Sequence, residues 1–549
     1  MKHLFFSLLL ILVGLPAARA QVPTWQLAIS LGGGWYSEVT AVATDAAGNV
    51  YIAGWFSNSS LVLGSITLSN SVTSGSTVGF SKDAFVAKWS PASQDFVWAQ
   101  RAGGSTDGDY VSALATAGDA VYVAISLVNA PTGLGGSPAS NGSYLTKLTD
   151  AGALVWTQPI GGPASSLAVA RGAVYAAGYF DGMASFGSTS FPNTGSNNLY
   201  LAKLIDAGPA SSYAWTLPTN YAFGNAVAVA GNNIYLAGSY YNTTLLGSKQ
   251  LTDEGAFVAK LIDADTGPKV SWVLPMTGSQ KGNGIGANAL AVSNNRVYVA
   301  GSLVGTVEAG NTRLTSFGPQ DLFVAQLTDE GNAASIGWVK QAGGVGSNSV
   351  ARAVTAIGGA VYVAGISGNS FSFDGNAAAN SNTSGVVVVK LVDNDVAGKI
   401  IWMQQAPARY TVACNALAIN DNRLYVGGLI GSGSTFGALP FPATGGPAAY
   451  LAALADKQSF DTELATTTST TFATLTVTPN PARGVAIMHI SAANSATFAL
   501  LDALGRLVRS ASIPAGHDYQ LELNGLAPGI YALQVQLSGE QAVRRLIIE

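Results

Sequence analysis

Histidine is almost absent from this 549-residue chain: His3, His489 and His517 are its only copies, so the long middle has none. That excludes Ser-His-Asp and Cys-His nucleophilic sites and His-ligated zinc or iron from the middle of the protein. Cysteine is just as scarce. The single Cys414 cannot form an internal disulfide, so stability must come from packing, and within "YTVACNALAI" it reads as a small buried hydrophobe. Charged residues make up 10% of the chain, against about 25% in an average globular protein, and the net charge is -4. No basic footprint for a phosphate backbone is present, so nucleic acid is not an expected partner. Long apolar runs are missing too. The run from Leu4 to Val13 falls short of the ~18 residues needed to cross a bilayer, and no transmembrane segment is expected.

What is present begins with an address. Residues 1–20 combine Lys2, that short apolar run, Pro16 and a small-x-small ending at Ala18 and Ala20, the pattern of a secretory signal peptide. The mature chain then starts near Gln21, rich in Gly (65 residues) and neutral polar residues, a composition that reads as β-structure with long loops.

Self-similarity gives the organisation. "NVYIAG" around Tyr51 recurs around Tyr122, Tyr175, Tyr235, Tyr298, Tyr362 and Tyr425, at spacings of 71, 53, 60, 63, 64 and 63 residues. A second marker such as "FVAKLID" follows each copy, and then a Trp strand carrying Trp98, Trp156, Trp215, Trp272, Trp338 or Trp402. The seventh copy has no Trp strand after it. The opening stretch "PTWQLAISLGGG", with Trp25, supplies the missing piece. A strand displaced to the other end of the chain is useful only if the units close into a ring, so residues 21–456 are expected to form an all-β, seven-bladed β-propeller closed by the N-terminal strand. Apolar runs such as "VYVAG" fit strands covered on both faces, and the Ala-Gly pair ending most Tyr strands fits a crowded place where blades converge. The repeats resemble the seven-bladed β-propeller repeats common in secreted bacterial proteins.

Beyond a Thr-rich linker at 457–473, residues 474–549 read as a small antiparallel β-sandwich, with alternation at Tyr531, Leu533, Val535 and Leu537. Four motifs recur in order: "PNP" at Pro479, Asn480 and Pro481; "DALGR" with Gly505; "LAPGIY" with Gly529 and Tyr531; and the basic pair Arg544 and Arg545 before an apolar end. The segment resembles the C-terminal sorting domain of the type IX secretion system of Bacteroidetes. That resemblance implies recognition by the type IX machinery at the outer membrane, followed by surface attachment or release outside the cell.

Little in the ring suggests chemistry. Its four Glu residues (Glu38, Glu254, Glu308, Glu330) read as loop or turn residues, and Asp residues such as Asp45, Asp119 and Asp329 recur in repeated turns. A catalytic carboxylate pair is expected to be an exception in one or two units, whereas these acids repeat. "DAAGN" and "DADTG" lack the closing bidentate acid of a Ca²⁺ loop, so no metal and no cofactor is expected. The repeated Trp residues read as core. Off-pattern aromatics are the candidates for ligand contact: Trp35, Tyr36, Trp55 and Tyr240, with Phe56, Phe180 and Tyr241 beside them. The expected role is a surface-displayed, non-catalytic binding or adhesion module for an extracellular glycan or protein. The competing expectations are a carbohydrate-active enzyme, glycosidase or lyase, with acids in the central depression, and a structural surface-layer component.

Overall fold

The computed structural model describes residues 22–548 apart from short segments at 33–35, 73–80, 105–107, 129, 131, 138, 193–196, 265–266, 279–283, 347, 379–382, 395–396, 409–410 and 443–445, the stretch 457–474, and 491–495, 502–506, 514–517 and 538–539. The signal peptide at 1–20, the linker at 457–473, Trp35 and Gly505 lie outside the described residues. The chain divides into two compact units, Met1–Lys457 and Gln458–Glu549. Each is almost wholly β; the one helical piece among the described residues is a 3-10 turn at Leu134–Gly136.

In the larger unit each Tyr repeat forms a four-stranded antiparallel sheet whose strands follow one another in chain order. The first repeat shows the plan: Ser37–Thr44, Val50–Phe56, Asp83–Ser90 and Asp95–Ala102. The repeat Tyr lies on the second strand and the Trp on the fourth. In the last repeat the sheet holds only Val412–Asn420, Arg423–Ile430 and Ala448–Ala455 from its own stretch, and Trp25–Leu31 pairs antiparallel with Ala448–Ala455 as the fourth strand. Most second and third strands are buried along nearly their whole length, as their continuous apolar sequences require.

The cores lie between sheets. One cluster joins Tyr362, Val388 and Trp402 of the sixth sheet to Val426 and Tyr450 of the seventh. Another joins Tyr425 and Leu451 of the seventh to Val39, Ile52 and Trp89 of the first. First strands lie side by side in chain order, and that of the seventh sheet rests against that of the first. Short hairpins between second and third strands extend the periphery: Thr306–Ala309 with Thr312–Thr315 pairs onto the fourth strand of the preceding sheet, Lys269–Gly278.

Every first strand carries a β-bulge at the same place. The register against the second strand slips between Val39 and Ala41, and at the matching position in all six other repeats. The bulge explains the glycine that ends most Tyr strands. A Cβ at Gly54 would stand 1.9 Å from the Glu38 carbonyl oxygen, and one at Gly301 1.8 Å from that of Gly286. The crowding comes from the unit's own first strand rather than from the neighbouring sheet, which corrects the reading from sequence.

The smaller unit is a seven-stranded arrangement in which Leu475–Arg483 connects two halves over one core containing Met488, Phe498, Leu521, Leu533 and Val535. Its pairings are antiparallel except one, between Ala482 and Ile548. Tyr531, Leu533 and Val535 are buried on one face of Gly529–Leu537, the alternation legible in the sequence.

Candidate functional site

Two opposite ends of the larger unit carry different chemistry. At the end bearing the short turns between first and second strands, a carboxylate clamp repeats. Asp206 at the end of its third strand accepts hydrogen bonds from Tyr122 Oη (2.5 Å), Lys147 Nζ (2.7 Å) and Trp156 Nε1 (3.2 Å), all from the preceding repeat. Asp263 does the same with Tyr175 (2.7 Å), Lys203 (2.6 Å) and Trp215 (3.2 Å), and Asp329 with Tyr235 (2.7 Å), Lys260 (2.7 Å) and Trp272 (3.0 Å). Burial alone would raise these carboxyls; the hydrogen bonds from Lys, Tyr and Trp outweigh it and hold Asp206, Asp263 and Asp329 below their ordinary range. The repeated Tyr, Lys, Trp and Asp markers are therefore joints between sheets. Asp45 serves its own turn instead, accepting from the Asn49 amide and Tyr51 Oη.

At the other end, where the long loops and hairpins leave the sheets, a pocket of about 370 Å³ is lined by the first strand of every repeat. The bulges make it. Each pushes out one polar residue: Thr40, Ser112, Ser165, Asn225, Asn288, Arg352 and Asn415. Four of them tie neighbouring strands together. Thr40 Oγ1 donates to the Val111 carbonyl (2.5 Å), Asn225 Nδ2 to Ala287 O (2.9 Å), Asn288 Nδ2 to Ala351 O (2.9 Å) and Asn415 Nδ2 to Val39 O (2.9 Å). Asn415 Nδ2 also reaches Glu38 Oε1 at 2.7 Å. Glu38 is thus a strand residue lining this pocket, where the sequence suggested a loop.

Aromatic rings lie beside the pocket in the neighbouring first and second repeats. Tyr36 and Trp55 share a second pocket of about 410 Å³ with Glu38 and Lys82, whose ammonium lies 4.5 Å from the Trp55 ring centroid. Tyr36 has a φ of 62°, in the left-handed region, and 46% of its surface is exposed. Its backbone is held from both sides, its N–H donating to Pro447 O and its carbonyl accepting from Ser57. In the second repeat Tyr110 lines the pocket, with Tyr179 of the third repeat near it. There Tyr179 and Phe223 stand 5.3 Å apart, Phe223 and Tyr241 6.0 Å, and Tyr241 and Tyr221 5.9 Å, all partly exposed.

Tyr36 and Trp55 are thus brought together, while Tyr240 is buried in the core at 2% exposure and the neighbouring Tyr241 faces outward. Phe56 and Phe180 are buried as well. Cys414 is fully buried, which pushes its thiol up to about 12. No group of three or more His, Cys, Asp or Glu able to hold a metal occurs among the described residues. This set of bulge residues went unread in the sequence, although a signal exists. Its members precede the repeat Tyr by ten residues in six repeats and by eleven in the first, just before an Ala or Ser that opens the apolar run.

In the smaller unit three of the four motifs meet around the final strand, Glu540–Ile548, and the fourth, at 502–506, lies outside the described residues. Pro479 and Pro481 follow cis peptide bonds, and Asn480 Oδ1 between them accepts from the Ile547 N–H (2.9 Å) of the final strand. Arg544 and Arg545 lie on that same strand, opposite Leu533 and Ala532 of the strand that Gly529 opens, and Tyr531 Oη donates to Ala527 O (2.7 Å).

The larger unit is propeller-like. Residues 476–549 match the family described as a secretion system C-terminal sorting domain. That domain directs export through type IX secretion to the cell surface or the extracellular space. No curated protein matches the chain. Solved structures similar to it include BamB from Moraxella catarrhalis, 14% identical over 81% of this chain and 93% of that one, with a TM-score of 0.34. A protein from Lactobacillus plantarum is 14% identical over 71% of this chain and 98% of its own (TM-score 0.30). Trypanosoma rangeli sialidase in complex with sialic acid is 8% identical over 95% and 83% (TM-score 0.31). No helix among the described residues is long and apolar enough to cross a membrane.

Proposed function

We propose that residues 22–456 form a closed seven-bladed propeller, displayed or released outside the cell, that binds an extracellular glycan without catalysis. Closure is supported by the first strand of the seventh sheet resting against that of the first, and by the shared core between those sheets. The observation that carries the binding role is the line of partly exposed rings, Tyr179, Phe223, Tyr241 and Tyr221, leading away from a polar pocket built by all seven repeats. Flat aromatic faces stack on sugar rings, and convergent hydroxyl and amide groups orient them. The clamp at the opposite end spends the repeated carboxylates on joints between sheets, so those acids are not available as a catalytic pair.

A glycan array scored for both retention and release of reducing ends tests this. Retention without turnover is expected, weakened about tenfold in Tyr241→Ala and in Trp55→Ala, with each stacked ring contributing on the order of 1 kcal/mol. Release of reducing ends would establish the enzyme instead, and silence in both channels would leave a protein partner or a structural coat.

A further inference from the structure

The seven bulge positions form a ring of small neutral polar residues with one exception, and the exception has a specific chemistry. Six are Thr, Ser or Asn; the seventh is Arg352. Its guanidinium is exposed, lines the pocket and makes no hydrogen bond or ion pair among the described residues. The one carboxylate in the pocket, Glu38, is engaged by Asn415 instead.

The amides fix what the rest of the wall offers. Asn225, Asn288 and Asn415 give their Nδ2 atoms to neighbouring carbonyl oxygens, which turns each Oδ1 into an acceptor left over for a ligand. The second oxygen of Glu38 is an acceptor as well. The pocket therefore presents several acceptors and a single cation with a bidentate fork. A polyol supplies hydroxyl donors to the acceptors, and one carboxylate satisfies the fork. A polyphosphate, all acceptor and densely negative, meets the amide oxygens and Glu38 with like polarity.

Resting on the glycan-binding reading above, we infer that this pocket is the subsite for a uronate-type residue of an acidic glycan, its carboxylate held by Arg352 and its hydroxyls by Asn225, Asn288 and Glu38. The flanking rings hold the neighbouring sugars of the same chain. Arg352 sets the preference for acid, and the aromatics set the affinity shared by acidic and neutral chains.

Calorimetric titration of the secreted chain with trigalacturonate, with its trimethyl ester and with tripolyphosphate separates these roles. The acid is expected to bind at least ~10-fold more tightly than the ester at low salt. Arg352→Gln removes that difference, Arg352→Lys keeps part of it, and Tyr241→Ala weakens acid and ester alike. Arg352 is exposed, so the variants should melt with the parent, and their melting curves check this. A preference for acid that survives Arg352→Gln would overturn the assignment, as would tripolyphosphate binding as tightly as the acid. Equal binding of acid and ester would overturn it while leaving the glycan reading intact; no binding of either would overturn both.

Discussion

The junction between the third and fourth sheets and the junction between the seventh and the first do the same job with different means. In the former, Tyr175, Lys203 and Trp215 converge on the buried Asp263. In the latter, Tyr425 and Trp25 are present, but Ala453 stands where the lysine would be and Pro91 where the aspartate would be. Trp89 fills part of the space, its ring 6.2 Å from that of Tyr425, and the indole nitrogens of Trp25 and Trp89 are left without partners. The joint between the seventh sheet and the first is apolar and is held by a strand from the far end of the chain. A buried ion pair adds little net stability, because desolvating it offsets most of its attraction. Five joints carry a carboxylate that the repeat Tyr reaches, at Asp206, Asp263, Asp329, Asp393 and Asp456, a sixth draws Lys88 and Trp98 onto Asp150, and the seventh can do without, provided that the displaced strand docks.

The largest effect should come from breaking that strand. Removing residues 22–31 takes away the buried Trp25 and Leu31, each worth ~3–5 kcal/mol, and exposes the edge of Ala448–Ala455. Calorimetry should show melting lowered by more than ~10 °C, or aggregation. Unchanged melting would mean that the seam is held by something else.

Next comes the clamp itself. Asp263→Ala leaves Lys203 charged and largely buried, at an expected cost of ~3–5 kcal/mol. The same carboxylates set the acid limit. Their folded pKa values lie below the unfolded value of about 3.9, so their contribution is complete above that pH and is lost as pH falls through the folded values. Melting temperature should therefore hold from neutrality to about pH 4 and drop below it, and a midpoint falling already at pH 6 would place the sensitive groups elsewhere. A finer contrast comes from one hydroxyl at each joint. Tyr175→Phe removes a bond to a charged acceptor, costing ~1.5–3 kcal/mol, whereas Tyr425→Phe should stay within about 0.5 kcal/mol. Equal losses would erase the distinction between the joints.

The features that repeat were legible, and those that depend on a local break in regularity were not. Tyr, Trp and the apolar strands recur at near-constant spacing because each fills the same gap between sheets, so the units and the displaced Trp25 strand could be read directly. The polar ring escaped because a bulge is invisible to alternation: Asn225 in "AFGNAVAVA" looks like one more polar residue on a half-buried strand, and only the register slip shows that it faces the pocket. Glycine carried the clue, since Gly238 would put a Cβ 2.0 Å from the Phe223 carbonyl. Tyr240 and Tyr241 show the complementary limit. Adjacent aromatics on a strand end point to opposite faces, and sequence alone did not say which of the two was buried.

The smallest expected effect tests the comparison from the constructive side. If the clamp is a module defined by four positions, the seam can be given one, because Tyr425 and Trp25 already occupy two of them. Ala453→Lys alone buries an unpaired ammonium at a site with 4% exposure and should destabilise by ~1–3 kcal/mol. Pro91→Asp alone adds a carboxylate at the rim with little to bind it. Together they should recover ~1–2 kcal/mol of coupling in a double-mutant cycle, the mark of a lysine, tyrosine and indole closing on one carboxylate as they do at Asp263. Strict additivity would mean that Trp89 holds the seam in a geometry the clamp cannot enter, and that the two kinds of joint differ in backbone spacing as well as in side chains.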